Sequence, residues 1–291
     1  MASFIGLKSY RGNIKLKPAK APLPAGYDIF IISGQSNTYY GRSSVATVPD
    51  GILDASEARI YQLGRYGGNN NLAVLASEQL DHYLDPPTNM VGFALTFAKI
   101  YKQNLLASNR DVLLVPCGRS SAGFANNWFN SGNPLDLDVK ARTATALALG
   151  SGTNILRGVL WHQGETDALE STAFANAHKG NMLALIDRWR THFGTPNLPF
   201  LVGGMVPAWV SGVTDHETVQ NGLIDIPNQR SFTGYANPAY PTELTADTSI
   251  DTIHFSAEST RGGVSRDISN IATCGLAGRY WTAYLEALSN S

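Results

Sequence analysis

Five short apolar runs, each next to a segment of helical spacing, constrain this chain more than any other feature. The runs are Tyr27-Asp-Ile-Phe-Ile-Ile-Ser33, Arg59-Ile-Tyr-Gln-Leu63, Asp111-Val-Leu-Leu-Val-Pro116, Ile155-Leu-Arg-Gly-Val-Leu-Trp161 and Pro199-Phe-Leu-Val-Gly-Gly-Met205. Consecutive rather than alternating apolar positions are expected of strands covered on both faces. Residues 90–104, 141–149, 171–192 and 271–288 carry the helical period instead. Such alternation of β and α predicts an α/β fold, a parallel sheet with helices on both faces, whose ligands bind beyond the carboxyl ends of the strands. The Gly/Asn-rich stretches 67–71 and 211–237 read as long surface loops, the second a candidate rim.

Residues 1–25 differ from the rest. Lys8, Arg11, Lys15, Lys17 and Lys20 occur there without an acid, followed by Pro18, Pro22 and Pro24. That composition disfavours a packed element and predicts an extended arm or linker, a candidate attachment to a larger assembly, ahead of one domain over 26–291. The opening Met-Ala-Ser-Phe-Ile-Gly-Leu-Lys holds no apolar signal-type core, which leaves the compartment open. With 291 residues and 43% hydrophobic content, the chain has enough apolar material for a full core. A net charge of -1 gives no footing for a nucleic-acid partner. No apolar run approaches the roughly 20 residues of a membrane span. The two cysteines, Cys117 and Cys274, are too few for a disulfide framework and read as small buried side chains.

Four polar blocks fall at strand ends or in late loops, where a doubly wound sheet gathers residues into one crevice. In Ser33-Gly-Gln-Ser-Asn37, Gly34 allows a sharp exit from the strand and Ser36 opens the next segment, with its hydroxyl and backbone N–H directed at the crevice. A helix-capping serine would look the same in isolation. In Asp251-Thr-Ile-His254, a carboxylate and an imidazole three residues apart can orient each other so that the free ring nitrogen faces a serine. A serine hydroxyl needs such a base to become a nucleophile. In Trp161-His-Gln-Gly-Glu-Thr166, the Gln163 amide is suited to hold an oxyanion, a task worth roughly 3 kcal/mol per donor. Glu165 could be His254's partner in place of Asp251, or tie down a loop. In Pro116-Cys-Gly-Arg-Ser-Ser-Ala-Gly123, Gly118 offers an N–H that no side chain shields, with Ser120 and Ser121 as substitutes if the turn is shifted.

Taken in order, Gly34-Gln-Ser-Asn37, Gly118 with its neighbours, His162-Gln-Gly-Glu165 and Asp251-Thr-Ile-His254 resemble the blocks of the SGNH (GDSL-like) hydrolase superfamily. The first and third are similar to the sialate O-acetylesterase and family 6 carbohydrate esterase group, which includes acetylxylan esterases. The resemblance covers about 27–288. It implies a three-layer α/β/α, flavodoxin-like fold with a parallel, roughly five-stranded sheet. It further implies a nucleophile at Ser36, a base at His254 with Asp251 as its acid, and oxyanion donors from the N–H groups of Ser36 and Gly118. Gln163 would stand where much of the superfamily has asparagine, one methylene longer. The Gly118 block departs from the common Gly-Gly-Thr-Ser form and looks closer to the Gly-Arg-Ser form of rhamnogalacturonan acetylesterases.

The leading expectation is therefore a serine esterase that removes O-acetyl groups from carbohydrate, with no cofactor and no metal. Tyr39, Tyr40, Phe124, Trp128 and Trp209 are candidate sugar-stacking rings, with ordinary packing as the plain reading. A lipase, thioesterase or arylesterase could use the same residues. An inactive glycan-binding component of a larger, for example phage-tail, assembly is a reading of a different class, and intact Ser36, Asp251 and His254 weigh against it. A metal hydrolase fits less well, because His162, Glu165, His178 and His192 do not follow His-Glu-x-x-His spacing.

Overall fold

The computed structural model describes residues 25–44, 48–51, 53–83, 89–128, 132–150, 152–262 and 270–291. The expected arm lies almost wholly outside them; Ala25, its last residue, is already tied in by its N–H to the Asn109 carbonyl at 2.7 Å. In chain order the elements are β1 (Tyr27–Gly34), β2 (Ile60–Leu63), β3 (Ala73–Leu75), α1 (Ala94–Asn104), β4 (Asp111–Pro116), α2 (Pro134–Leu147), β5 (Ile155–His162), α3 (Glu165–Glu170) and α4 (Thr172–His192). They continue with β6 (Phe200–Gly203), α5 (Pro207–Val210), α6 (Thr214–Gln229), β7 (Thr233–Ala236), α7 (Ala257–Arg261) and α8 (Gly275–Ser289).

The strands form one seven-stranded sheet in the order β3-β2-β4-β1-β5-β6-β7. All neighbours are parallel except β2 and β3. The five expected strands are β1, β2, β4, β5 and β6, and the sheet is wider than expected by β3 and β7. Those two are only 3 and 4 residues long, with sequences Ala-Val-Leu and Thr-Gly-Tyr-Ala that carry too few apolar positions to stand out. The stretch 211–237 also differs from its expected loop, since it contains α6 and β7. Val219, Leu223 and Ile226 recur at helical spacing and are fully buried, which outweighs the cost of Pro227 near the helix end.

Side-chain alternation on the strands assigns the layers. Ile29 and Ile31 of β1 face the same core as Leu185 and Trp189 of α4 and Val139 of α2. Phe30 and Ile32 face the other, with Phe97 of α1 and Tyr280 and Tyr284 of α8. The result is a three-layer α/β/α structure. Cys117 and Cys274 are both buried. Among the described residues no helix is long and apolar enough to cross a membrane.

The central strand β1 lies between β4 and β5, and the chain travels to one side of it before β4 and to the other after β5. This is the switch point at which an open sheet parts its loops and leaves a crevice. The exit from β1 is tight. Gly34 has φ +121, and a Cβ there would lie 2.1 Å from the His162 carbonyl oxygen on β5. Neither the backbone angle nor the space admits a side chain. We expect Gly34→Ala to destabilise the protein by about 1–3 kcal/mol, the scale of overpacking, and more if the strained angle adds to it. Urea unfolding measures this; an unchanged midpoint would show that the strand end has room.

Candidate active site

Three strand ends converge on the crevice. Past β1, the Gln35 N–H donates to the His162 carbonyl at 2.7 Å, and Ser36–Thr38 form a single 3-10 turn. The Gln35 side-chain oxygen accepts from the N–H groups of Gly164 at 3.4 Å and Thr166 at 3.1 Å, at the start of α3. Ser36 is thus held between two strand exits, and its own N–H has no hydrogen-bond partner among the described residues.

The loop before α7 delivers the other partners. Ser36 Oγ lies 2.8 Å from His254 Nε2, and His254 Nδ1 lies 2.9 Å from Asp251 Oδ2. Asp251 Oδ1 also accepts the backbone N–H of Ile253 at 3.1 Å and of His254 at 2.9 Å. Partial burial pushes the Asp251 carboxyl up, but the hydrogen bonds from the His254 ring and from these N–H groups outweigh it and hold the carboxyl below its usual range. An ionised Asp251 has no proton to give, so Nδ1 is the donor and Nε2 presents its lone pair to the serine hydroxyl. Arg42 adds a distant positive charge, its Nη1 3.9 Å from Asp251 Oδ2. Tyr40 covers the imidazole face, with ring centroids 4.9 Å apart.

Glu165 is placed differently. It is fully buried and does not contact His254; Asn37 Nδ2 donates to its Oε1, and His162 Nε2 lies 3.6 Å away. Burial pushes the Glu165 carboxyl up, but His162 and Asn37 together bring it below its ordinary value. Asn37 connects this carboxylate to the 251–255 loop, because its Nδ2 also donates to the Ile253 carbonyl at 3.1 Å and its Oδ1 accepts the Phe255 N–H at 3.1 Å. His162 turns its other ring nitrogen to the Tyr280 hydroxyl at 3.1 Å.

Two expected oxyanion donors are engaged elsewhere. Gln163 points to the opposite face of the sheet, where its Nε2 donates to Asp167 and its Oε1 meets His178 Nε2 at 3.2 Å. One residue past His162, side-chain alternation sends it away from the crevice. The Gly118 N–H donates to His82 Nδ1 at 3.0 Å, and a Cβ on Gly118 would lie 2.1 Å from Thr38 Oγ1. Burial and the nearby Arg65 and Arg142 push His82 down to about 3, so it is the neutral acceptor for that N–H. The Ser120 N–H is taken by the Tyr39 hydroxyl at 2.8 Å, and Ser121 is exposed with φ +58.

Of the five candidate stacking rings, Phe124 and Trp128 are core residues, Trp128 packing edge-on to Trp161 at 5.0 Å. Tyr39 is buried against His82 and Trp209 stacks on His216, leaving Tyr40 beside the imidazole. His178 is buried beneath the sheet with Gln163, and among the described residues no group of three or more His, Cys, Asp or Glu could hold a metal. The sequence offered no signal for the parts of His82 and Arg42, and Tyr40 was visible only as a candidate stacking ring. The bracing part of Asn37 was visible only as a member of the Gly-Gln-Ser-Asn block.

The family profile described as carbohydrate esterase, sialic acid-specific acetylesterase matches residues 26–263. No curated protein matches the chain in sequence. Among solved structures, NanS superposes with a TM-score of 0.70 at 19% identity, over 93% of this chain and 100% of that one. A protein from Arabidopsis thaliana gives 0.66 at 21%, over 90% and 98%. A carbohydrate acetylesterase from Xanthomonas citri gives 0.52 at 18%, over 88% of this chain and 57% of that one. At these identities the likeness is one of fold.

The depressed Asp251 carboxyl carries a pH signature. A group whose folded value lies below its unfolded value adds stability that is fully present above the ordinary aspartate value of about 3.9 and is lost as pH falls through the folded one. The stability difference between wild type and Asp251→Asn should therefore be constant near neutrality and close below about pH 4. Urea unfolding over a pH series measures it; a gap that persists at the acid end would mean the carboxyl is not held ionised by its partners.

Proposed function

The chain belongs to the carbohydrate esterase family of sialic acid-specific acetylesterases, a family of carboxylic ester hydrolases, and from that premise we propose that Ser36, His254 and Asp251 carry out its ester cleavage. The observation that supports this most directly is the unbroken relay from Asp251 Oδ2 to His254 Nδ1 at 2.9 Å and from His254 Nε2 to Ser36 Oγ at 2.8 Å.

In the proposed reaction Ser36 Oγ attacks the carbonyl carbon of an O-acetyl group on a sugar while His254 Nε2 takes the hydroxyl proton. The tetrahedral intermediate collapses as the C–O bond to the sugar breaks, and His254 returns the proton to the departing sugar oxygen. Water then attacks the acetyl-serine, again giving its proton to His254, and acetate leaves as Ser36 recovers its hydrogen. The positive imidazolium formed in each half is stabilised by ionised Asp251, which keeps its own negative charge. The Ser36 N–H is the donor best placed for the oxyanion, since it has no other partner among the described residues. The Gly118 N–H would have to leave His82 Nδ1 to join it. Glu165 supports the loop through Asn37 and takes no part in proton transfer. No cofactor is required by these steps.

Acetate release from a panel of acetylated glycans and from p-nitrophenyl acetate tests the nucleophile. Ser36→Ala should lower kcat by a factor on the order of 10^4 or more without shifting the unfolding midpoint; unchanged turnover would refute the assignment. The two carboxylates are separated by rank. Asp251→Asn should cost roughly 10^4 in kcat, as loss of the orienting acid does in comparable triads, and Glu165→Gln distinctly less. The reverse order would move the acid to the Gln-Gly-Glu block.

A further inference from the structure

On the opposite side of the His162 contact made by Tyr280, α8 borders a groove of about 530 Å³ whose walls include Tyr235, Asn237, Tyr240, Arg279, Trp281 and Glu286. Ser36, Asp251 and His254 do not line it. Its volume falls within the range of small-ligand sites.

Arg279 is the unusual member. It is only 5% exposed, yet no carboxylate lies within ion-pair distance of it among the described residues. Its Nη2 donates to the Thr242 carbonyl at 3.0 Å, and its Nε has no hydrogen-bond partner in the protein. Of the other buried arginines, Arg110 Nε is 2.7 Å from Asp28 and Arg261 Nε 2.9 Å from Asp54. Arg142 and Arg190 also lack an acid among the described residues, but they donate to two and three backbone carbonyls respectively, whereas Arg279 has one such acceptor and lines the groove. Burial alone pushes the Arg279 guanidinium below its ordinary value, with no neighbouring charge to oppose it. A desolvated cation without a counter-ion is costly, and a guanidinium edge is suited to a carboxylate.

The rest of the groove limits which carboxylate fits. Tyr240 stands 72% exposed at the rim and Trp281 forms part of the wall, so that an apolar ring face has surfaces to pack on. Glu286 lies two helical turns beyond Arg279, about 10 Å along the axis, too far to neutralise it. Burial pushes the Glu286 carboxyl up, partly offset by the Tyr235 N–H, and with Asn237 it offers hydrogen-bonding groups at the far end. One cation, two aromatic surfaces and distal polar groups match a ring that carries a carboxylate at one end and hydroxyls at the other.

We propose that this groove is a second glycan site that binds a carboxylate-bearing sugar, with the carboxylate on Arg279, the ring against Tyr240 and Trp281, and hydroxyls toward Asn237 and Glu286. Such a site would hold an acidic glycan on walls separate from Ser36, Asp251 and His254. It does not rest on the Ser36 assignment, because occupancy is read with sugars that carry no ester.

The test is calorimetric titration of the full chain with N-acetylneuraminic acid, galacturonic acid and neutral galactose. At least one acid should bind, about tenfold or more tighter than galactose, and the two acids distinguish a nonulosonic from a hexuronic source. Arg279→Ala should weaken that binding about tenfold or more while p-nitrophenyl acetate turnover is unchanged. Thr282→Glu, an exposed position one turn from Arg279, supplies an internal counter-ion and should do the same, which keeps the test intact if Arg279→Ala does not fold. Absence of binding by both acids, equal binding of galactose, or undiminished affinity in whichever variant folds would overturn the proposal.

Discussion

The contact that the rest of this site depends on is the close approach of β1 to the end of β5. Gln35 donates its N–H to the His162 carbonyl, and Gly34 passes so near the same oxygen that no Cβ fits between them. The hydrogen bond and the missing side chain act together. With the two strand exits in register, the Gln35 side chain accepts from two N–H groups at the start of α3, and Ser36 has only one direction in which to face. Moving β1 outward by the width of a methyl group would displace the serine from an imidazole that is fixed by a different part of the chain.

That other part is the 251–255 loop, and Asn37 is what joins it to the sheet. Its amide spends both ends on the loop, donating to Ile253 and accepting from Phe255, and also donates to buried Glu165. Glu165 in turn lies against His162, whose other nitrogen meets the Tyr280 hydroxyl from α8. The Ser36 turn, the 251–255 loop, the end of β5 and the last helix are therefore braced by one chain of polar contacts in a low-dielectric interior. There each contact is stronger than it would be in water, and each missing partner more costly. Asn37 and Glu165 are positioning residues for the proposed relay, which touches neither.

Much of the architecture was legible because the strands that build the crevice are the most apolar. β1, β4 and β5 are covered on both faces, so their sequences are continuous apolar runs that nothing else in the chain imitates. β3 and β7 escaped notice for the converse reason, as short edge strands that need few large side chains. α6 was hidden by Gly222, Pro227 and its asparagines, although Val219, Leu223 and Ile226 already had the period. In the site, sequence spacing favoured Asp251 as the partner of His254, since residues three apart meet locally, but left Glu165 open as the alternative. Gln163 could not be placed that way. Whether it faces the crevice or the α4 layer depends on where β5 ends its alternation, and the structure turns it toward Asp167 and His178. His82 was invisible, because its contact with Gly118 joins residues that only the tertiary fold brings together.

Burial sorts the remaining ionisable groups around the crevice by what they can contribute to proton transfer. His82 and His178, pushed down to about 3 and about 4 chiefly by desolvation, remain neutral imidazoles near pH 7 and serve as hydrogen-bond partners. Glu165 is equally buried, but its hydrogen bonds more than cancel the desolvation, so it stays a carboxylate with no proton to donate. Asp251 reaches the same ionised state at the surface end of the loop, through three hydrogen bonds from two residues. Neither carboxylate is then suited to be a general acid at neutral pH, and neither of the two neutral histidines touches Ser36. His254 meets the Ser36 hydroxyl on one nitrogen and ionised Asp251 on the other, the electrostatic condition for the proton transfer proposed for it, whereas His162, which also lies between a carboxylate and a hydroxyl, is fully buried against Glu165 and Tyr280.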